Sequence, residues 1–263
     1  MDIRHVLWLG TLVSCSAYSQ PGDPSRNIDR DSFFKNCESM AADKVSFKAL
    51  DRDVMERFSL RSAAFSGQAK ENINLIFDEI ESVAPKPLDL KQVAYVLGTA
   101  YRESHGSMSP ATKEKVWCLS DESCKKQNRK LKEYARVDPM TGHNYVGRGY
   151  VQLTWADNYK KFGQVLKLNP STLLYTDPDL ALKPEYASRI LVSGMYKGLF
   201  TPHKLSDYFD EKSEDWYTAR KIVNPGSPRK AVTAGYAMLF YGCLGGVPKF
   251  PASAGDTLEG PWH

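Results

Sequence analysis

The chain has 263 residues, of which 42% are hydrophobic and 25% charged, and a formal net charge of +4. That length supports one sizeable core, or one domain with decorations, and the composition excludes global disorder. The mild, dispersed positive charge suits an anionic matrix such as a cell wall and gives no footing for nucleic acid.

The N-terminus reads as an export signal over residues 1–19. Arg4 precedes a short apolar run, Val6 to Val13, and Ala17-Tyr18-Ser19 before Gln20 resembles a small-residue cleavage site. The run is far below the ~20 residues needed to span a bilayer. A second reading fits as well: Leu12-Val13-Ser14-Cys15 resembles the bacterial lipoprotein box, with the signal ending at residue 14. A lipidated Cys15 would then be the one expected membrane anchor. A buried N-terminal helix is a third reading, opposed by the polar stretch that follows. The expected location is outside the cytoplasm: periplasmic, outer-membrane-anchored or secreted.

Either processing route leaves Cys37, Cys118, Cys124 and Cys243 available for pairing. An even number in an exported chain suggests disulfides, with three possible connectivities. The closeness of Cys118 to Cys124 favours that pair, leaving Cys37 with Cys243. A thiol-catalysis reading would join Cys118 to His143 or His203, and nothing in the spacing supports it.

Residues 20–65 read as a tether, rich in Pro, Gly, Ser and Asp at its start, followed by one or two helices between about Arg30 and Arg61. A clearer helix carries Ile73, Ile76, Phe77, Ile80 and Val83 at helical spacing and stops at Pro85 and Pro87. Asp89 and Gln92 form a capping-box-like start to the next, whose stripe of Leu90, Val93, Ala94, Leu97, Ala100 and Tyr101 runs into Arg102-Glu103-Ser104-His105-Gly106. Periodicity then fails as far as Val146, in a stretch holding the basic run Lys125, Lys126, Arg129, Lys130 and Lys132. Asp138 to Gly142 reads as a turn into a strand over Tyr145 to Trp155. Pro184 starts a later helix. Two more are expected around Asp215 to Val223 and Lys230 to Phe240, before a tail over residues 246–263.

The candidate chemistry gathers around two segments. Glu103 arrives at a helix C-terminus, where the dipole and partial burial would disfavour the charged carboxyl and suit it to general-acid work. Gly147 to Trp155 has two glycines around Arg148, which would let the backbone approach a bulky ligand. Its alternating Tyr150, Gln152 and Thr154 would share one face of an extended strand. Inverting hydrolysis of a glycoside needs a second carboxylate ~6.5–9.5 Å from the acid. Glu114, on the loop beyond Gly106 and Pro110, is the first candidate, ahead of Glu122, Glu133 and Asp138. The five histidines show no paired metal-ligand spacing and there is no Gly-rich phosphate loop, so no cofactor is expected.

These motifs, in this order, resemble the family 19 glycoside hydrolases, the group of plant-type chitinases and related bacterial and phage cell-wall lysins. The resemblance rests on Tyr101 to Met108, Val137-Asp138-Pro139 through Thr141-Gly142, Gly147 to Trp155 with Asn158-Tyr159, Asp177 to Leu182, Lys204 to Tyr208 and Ala219 to Asn224. It implies a mainly α, lysozyme-like two-lobed α+β domain over residues 66–245, with a small β element at the cleft. It also implies Glu103 as general acid, Glu114 as base, Thr154 holding the attacking water, and Gln152, Asn158 and Asn224 binding hydroxyl and N-acetyl groups. Tyr150 and Trp155 would stack on sugar rings, with ordinary core as the other reading of Trp155. Arg148 would line the substrate site by pairing with a carboxylate under the cleft. The activity so implied is hydrolysis of β-1,4 bonds next to N-acetylglucosamine in peptidoglycan or chitin, by a monomer whose partner is the polysaccharide. Asn224-Pro225-Gly226 departs from the family's pattern and motivates the alternative, a non-catalytic wall-binding protein on the same fold.

Overall fold

The computed structural model describes residues 27–42, 47–48, 57–58, 60–111, 113–115, 120–126 and 132–248. The expected export signal with Cys15, the start of the tether, Cys118, Arg129, Lys130 and the tail from residue 249 lie outside the described residues.

The protein is mainly helical. Its α-helices are α1 (Arg30–Ala42), α2 (Gly67–Val83), α3 (Leu90–Glu103), α4 (Asp121–Lys126), α5 (Ala156–Val165), α6 (Leu173–Thr176), α7 (Pro184–Lys197) and α8 (Lys230–Cys243). Short 3-10 turns link them, including Pro178–Leu182 and Thr218–Ile222. The last of these stands where a longer helix was expected between Asp215 and Val223. Among the described residues the strands are β1 (Phe47–Lys48) and β2 (Arg57–Phe58), antiparallel with Phe47 opposite Phe58. Of the one or two helices expected between about Arg30 and Arg61, α1 is observed, and the described residues between it and Arg61 include this strand pair.

The main core lies between α1, α2, α3, α7 and α8. Helix α3 runs along α8, α2 along α7, and α1 along α8. Close approach of α3 to α8 needs Gly98, because a Cβ there would lie 2.6 Å from the Ala237 backbone nitrogen. Helix α1 belongs to this core and is no loose extension. Phe33 packs edge-on against Phe77 at 4.9 Å, and Cys37 is bonded to Cys243 at the far end of α8. Each buried phenylalanine is worth roughly 1.5–3 kcal/mol. The disulfide closes a loop with a sequence separation of 206. Cys124 is buried and also disulfide-bonded.

A second apolar cluster, with Tyr145, Leu153, Tyr159, Phe162, Leu174 and Ile190, fills the space under α5 and α6. Helix α7 serves both clusters, giving Leu191 and Met195 to the first and Ile190 to the second. Pro184 opens α7 at a position where its missing N–H costs nothing.

Candidate active site

Helix α3 positions the first carboxylate. Asp89 caps it by accepting from the Lys91 backbone N–H at 2.8 Å, whereas Gln92 donates to the Phe209 carbonyl, so the expected capping box is only half formed. The helix ends because His105 and Gly106 turn to positive φ, 53° and 82°, and Gly106 N–H returns to the Tyr101 carbonyl at 2.8 Å. Ser104 tightens that end, its hydroxyl accepting from Met108 N–H at 3.0 Å. Glu103, the last helical residue, keeps 21% of its side chain exposed and accepts from Arg220 Nη2 at 2.6 Å. Arg220 comes from the 3-10 turn Thr218–Ile222 and is itself buried, with 4% of its side chain exposed. Its Nε and Nη1 have no hydrogen-bond partner among the described residues. Glu103 is thus the anion that compensates a buried cation. The Tyr95 phenol is pushed well up by burial, against the opposing pull of the Arg220 charge. Asn224, exposed on the following turn, is tied back through its backbone N–H to the Arg220 carbonyl at 3.0 Å.

Glu114 sits in a different setting. Its Oε1 accepts from Lys132 Nζ at 2.8 Å and from the Tyr134 hydroxyl at 3.1 Å. Its Oε2 accepts from Gly147 N–H at 3.2 Å, and its own N–H donates to the Gly147 carbonyl at 2.8 Å. Burial pushes this carboxyl up, but the donors Lys132, Gly147 and Tyr134 together outweigh it and hold the group below the usual carboxylate value of 4.5. Glu114 therefore makes a direct two-bond contact with the glycine-flanked segment.

The segment itself is folded differently from the expected strand. Arg148 and Leu153 form a single antiparallel bridge, and the four residues between them turn back on themselves, with Gln152 at φ 51°. Tyr150, Gln152 and Thr154 consequently do not share one face. The glycines make room for the chain's own atoms. A Cβ on Gly149, at φ 73°, would lie 2.5 Å from the Ala181 carbonyl oxygen, and one on Gly147 would lie 2.7 Å from Gln152 Oε1.

One expected sugar contact, that of Tyr150, is opposed by burial, whereas Arg148 keeps the carboxylate pairing expected of it. Tyr150 is 1% exposed and its hydroxyl donates to the Met108 carbonyl at 2.9 Å, so its ring belongs to the core. Arg148 is equally buried. Its pairing with a carboxylate is observed, Nε to Asp179 Oδ1 at 2.7 Å, but its Nη1 is spent on the Asn144 and Val146 carbonyls and the Tyr159 hydroxyl. It organises the loop from beneath and does not face the surface.

Trp155, by contrast, is 49% exposed at the start of α5, with the Tyr134 ring edge-on at 5.5 Å, so the core reading of this residue is the one to discard. Thr154, Gln152 and Asn158 are half-buried beside it, with Asn158 Nδ2 donating to the Thr154 carbonyl at 2.8 Å and Gln152 Nε2 to the Gly149 carbonyl at 3.1 Å. The two carboxylate regions are joined through the chain after Glu103: Met108 receives Tyr150, and the Ala111 carbonyl receives Gly149 N–H at 3.3 Å.

No protein-family model matches this chain, and no curated protein does.

Arg220, Lys132, Tyr134 and Asp179 were not anticipated as parts of the site. Arg220 carried a usable signal, an arginine among Ala219, Ile222 and Val223, since a cation in an apolar stretch implies a buried partner. Nothing local in the sequence distinguishes Lys132 from its basic neighbours.

Proposed function

We propose that the chain is a family 19-like glycoside hydrolase with a lysozyme-like, two-lobed domain. On this reading it is exported, acts as a monomer, and cleaves β-1,4 bonds next to N-acetylglucosamine in peptidoglycan or chitin by inversion. The observation that carries the reading is the contrast between the carboxylates. Glu114 is held below the usual carboxylate value by three donors at the edge of the Gly147 segment, as a base requires, while Glu103 meets one guanidinium among the described residues and keeps 21% of its side chain exposed. The two apolar clusters that share α7 support the two lobes, with the Arg148–Leu153 turn in place of a regular sheet beside the cleft.

In the proposed mechanism Glu103 protonates the glycosidic oxygen. For Glu103 to act as the acid, its 2.6 Å bond to Arg220 must give way to one with the glycosidic oxygen. Glu114 removes a proton from water held by Thr154, and the water attacks the anomeric carbon from the face opposite the leaving group. Gln152, Asn158 and Asn224 offer amide donors and acceptors to acetamido and hydroxyl groups, and Trp155 offers a ring face. Carboxylate acid–base chemistry of this type needs no cofactor.

The test is product analysis. Purified peptidoglycan and colloidal chitin should release sugars whose new reducing ends are inverted by proton NMR, and retention of configuration would refute the mechanism. One observation favours the alternative of a non-catalytic wall-binding protein: the 2.6 Å bond that commits Glu103 to a buried cation. Equal residual activity of wild type and Glu103→Gln, with polymer binding preserved in both, would establish that alternative.

A further inference from the structure

Where the end of α3 meets the start of α8, a cavity of about 170 Å³ is lined by three arginines, Arg61, Arg102 and Arg229, and by the apolar surfaces of Tyr101, Val232 and Tyr236. Arg61 is held in place: its backbone N–H donates to the Tyr101 hydroxyl at 3.0 Å and its Nη1 to the His105 carbonyl at 3.3 Å. Among the described residues no carboxylate lines the cavity, and none of the three arginines is in an ion pair. Arg229 is also the N-cap residue of α8, a 14-residue helix whose start has no side-chain cap and no acidic residue in its first turn. The positive end of that helix dipole therefore adds to the guanidinium charges and is not offset locally. Arg61 and Arg229 are exposed and Arg102 half-buried, so the cavity is open to an ion from solution.

Three guanidinium groups around one small space repel one another, and an oxyanion relieves that repulsion while accepting from their forked donors. The number of forks separates the candidate anions. A carboxylate or a phosphate diester brings a single charge and two free oxygens. A phosphate monoester brings about 1.5 to 2 negative charges at neutral pH and three terminal oxygens, one for each guanidinium. Inorganic phosphate brings similar charge but leaves the apolar walls unused: Val232 and Tyr101 are buried, and Tyr236 is half-buried. We propose that this cavity binds a phosphate monoester, with its phosphoryl group among Arg61, Arg102 and Arg229 and an apolar or ring-shaped substituent against Tyr101, Val232 and Tyr236. Neither Glu103 nor Glu114 lines the cavity, so binding here is independent of the proposed hydrolysis.

Heteronuclear NMR titration of the full chain with phenyl phosphate, benzoate and inorganic phosphate separates charge, oxygen count and stem. Phenyl phosphate should give saturable shifts around Arg102, Gly106 and Val232. Benzoate has the same ring with one charge, and inorganic phosphate has no ring; each should bind at least about tenfold more weakly. The Arg102→Gln/Arg229→Gln variant should lose at least about tenfold in affinity for phenyl phosphate, and Arg102→Lys less, since it keeps the charge and loses the fork. Thermal unfolding of each variant checks that the fold is kept. Arg229 is exposed, so Arg229→Gln alone carries the test should the double variant unfold, with a loss of about threefold or more. No saturable shifts with phenyl phosphate, benzoate or inorganic phosphate binding as tightly as the ester, or undiminished binding by the folded variants would each overturn the proposal. Hydrolysis of peptidoglycan or chitin should run at the same rate with and without saturating phenyl phosphate. Competitive inhibition would place the cavity inside the active site and overturn its independence.

Discussion

The regions around Glu103 and Glu114 hold chemically identical carboxylates by opposite means. Glu114 is over-determined: a surface ammonium, a phenol and a backbone N–H all converge on it, and losing any one leaves two. Glu103 has a single cationic partner among the described residues, but that partner is buried and depends on it in turn. A group with many weak supports tolerates substitution and titrates predictably. A group with one buried support couples function to stability. The difference teaches that Glu103 cannot be altered without disturbing Arg220, whereas the surroundings of Glu114 can be tuned one donor at a time.

The largest effect is expected at Glu103. Replacement by Gln keeps the shape and a hydrogen-bond acceptor for Arg220 but removes the transferable proton, so hydrolysis should fall by ~10²–10⁴-fold or more. Reducing-sugar release from peptidoglycan, with thermal unfolding as a control for the fold, measures this. An unaltered rate would transfer the acid's role elsewhere.

Arg220→Met sharpens the comparison from the other side. Removing one member of a buried pair typically costs ~3–5 kcal/mol. The partial exposure of Glu103 lets water reach the orphaned carboxylate, so about 3 kcal/mol is expected, read from the urea midpoint. The equivalent loss at the other site, Lys132→Met, should be under ~1 kcal/mol because that ammonium is exposed. Equal costs at the two sites would erase the distinction drawn between them.

Gly149→Ala tests whether the turn beside Glu114 is a built feature. The new methyl would meet the Ala181 carbonyl oxygen at 2.5 Å on a backbone at φ 73°. A loss of about 1–3 kcal/mol is expected, together with weaker polymer binding because Gln152 and Thr154 are carried by the same turn. Unchanged thermal stability would mean that the turn relaxes freely.

Much of this arrangement was legible in the sequence. Helices α2, α3, α7 and α8 follow from 3.6-residue periodicity closed by proline and glycine, because each buries one stripe against a neighbour. The Cys37–Cys243 bond followed from cysteine arithmetic in a chain read as exported. The turn at Arg148–Leu153 was not legible. Tyr150, Gln152 and Thr154 alternate as a strand would, and only the distant Ala181 carbonyl and Met108 carbonyl force the chain to double back and draw Tyr150 inward. Period-two alternation over so few residues cannot outvote tertiary contacts made by segments thirty or more positions away. Arg220 and Asp179 were hidden for the same reason: an arginine's partner is chosen by the fold, and neither Glu103 nor Arg148 is a sequence neighbour of the residue it pairs with.

The smallest effect, and the finest probe of the comparison, is the pH dependence governed by Glu114. Its carboxyl is held below 4.5 by Lys132, Gly147 and Tyr134 despite burial that pushes it up. A folded-state value below the unfolded one means that the group stabilises the protein above about pH 4.5 and that this contribution is lost as pH falls through the lower, folded value. In Lys132→Met the burial remains while the first of the opposing donors is gone, so the carboxyl moves up toward its ordinary range. If Glu114 is the base, the acid limb of the kcat profile should move up in pH with it, while the rate on the plateau changes little. Carbon-13 NMR of the Glu114 carboxyl in both proteins reports the titration independently of turnover. A carboxyl that shifts while the acid limb stays fixed would remove Glu114 from the catalytic pair and leave it as a strut for Gly147.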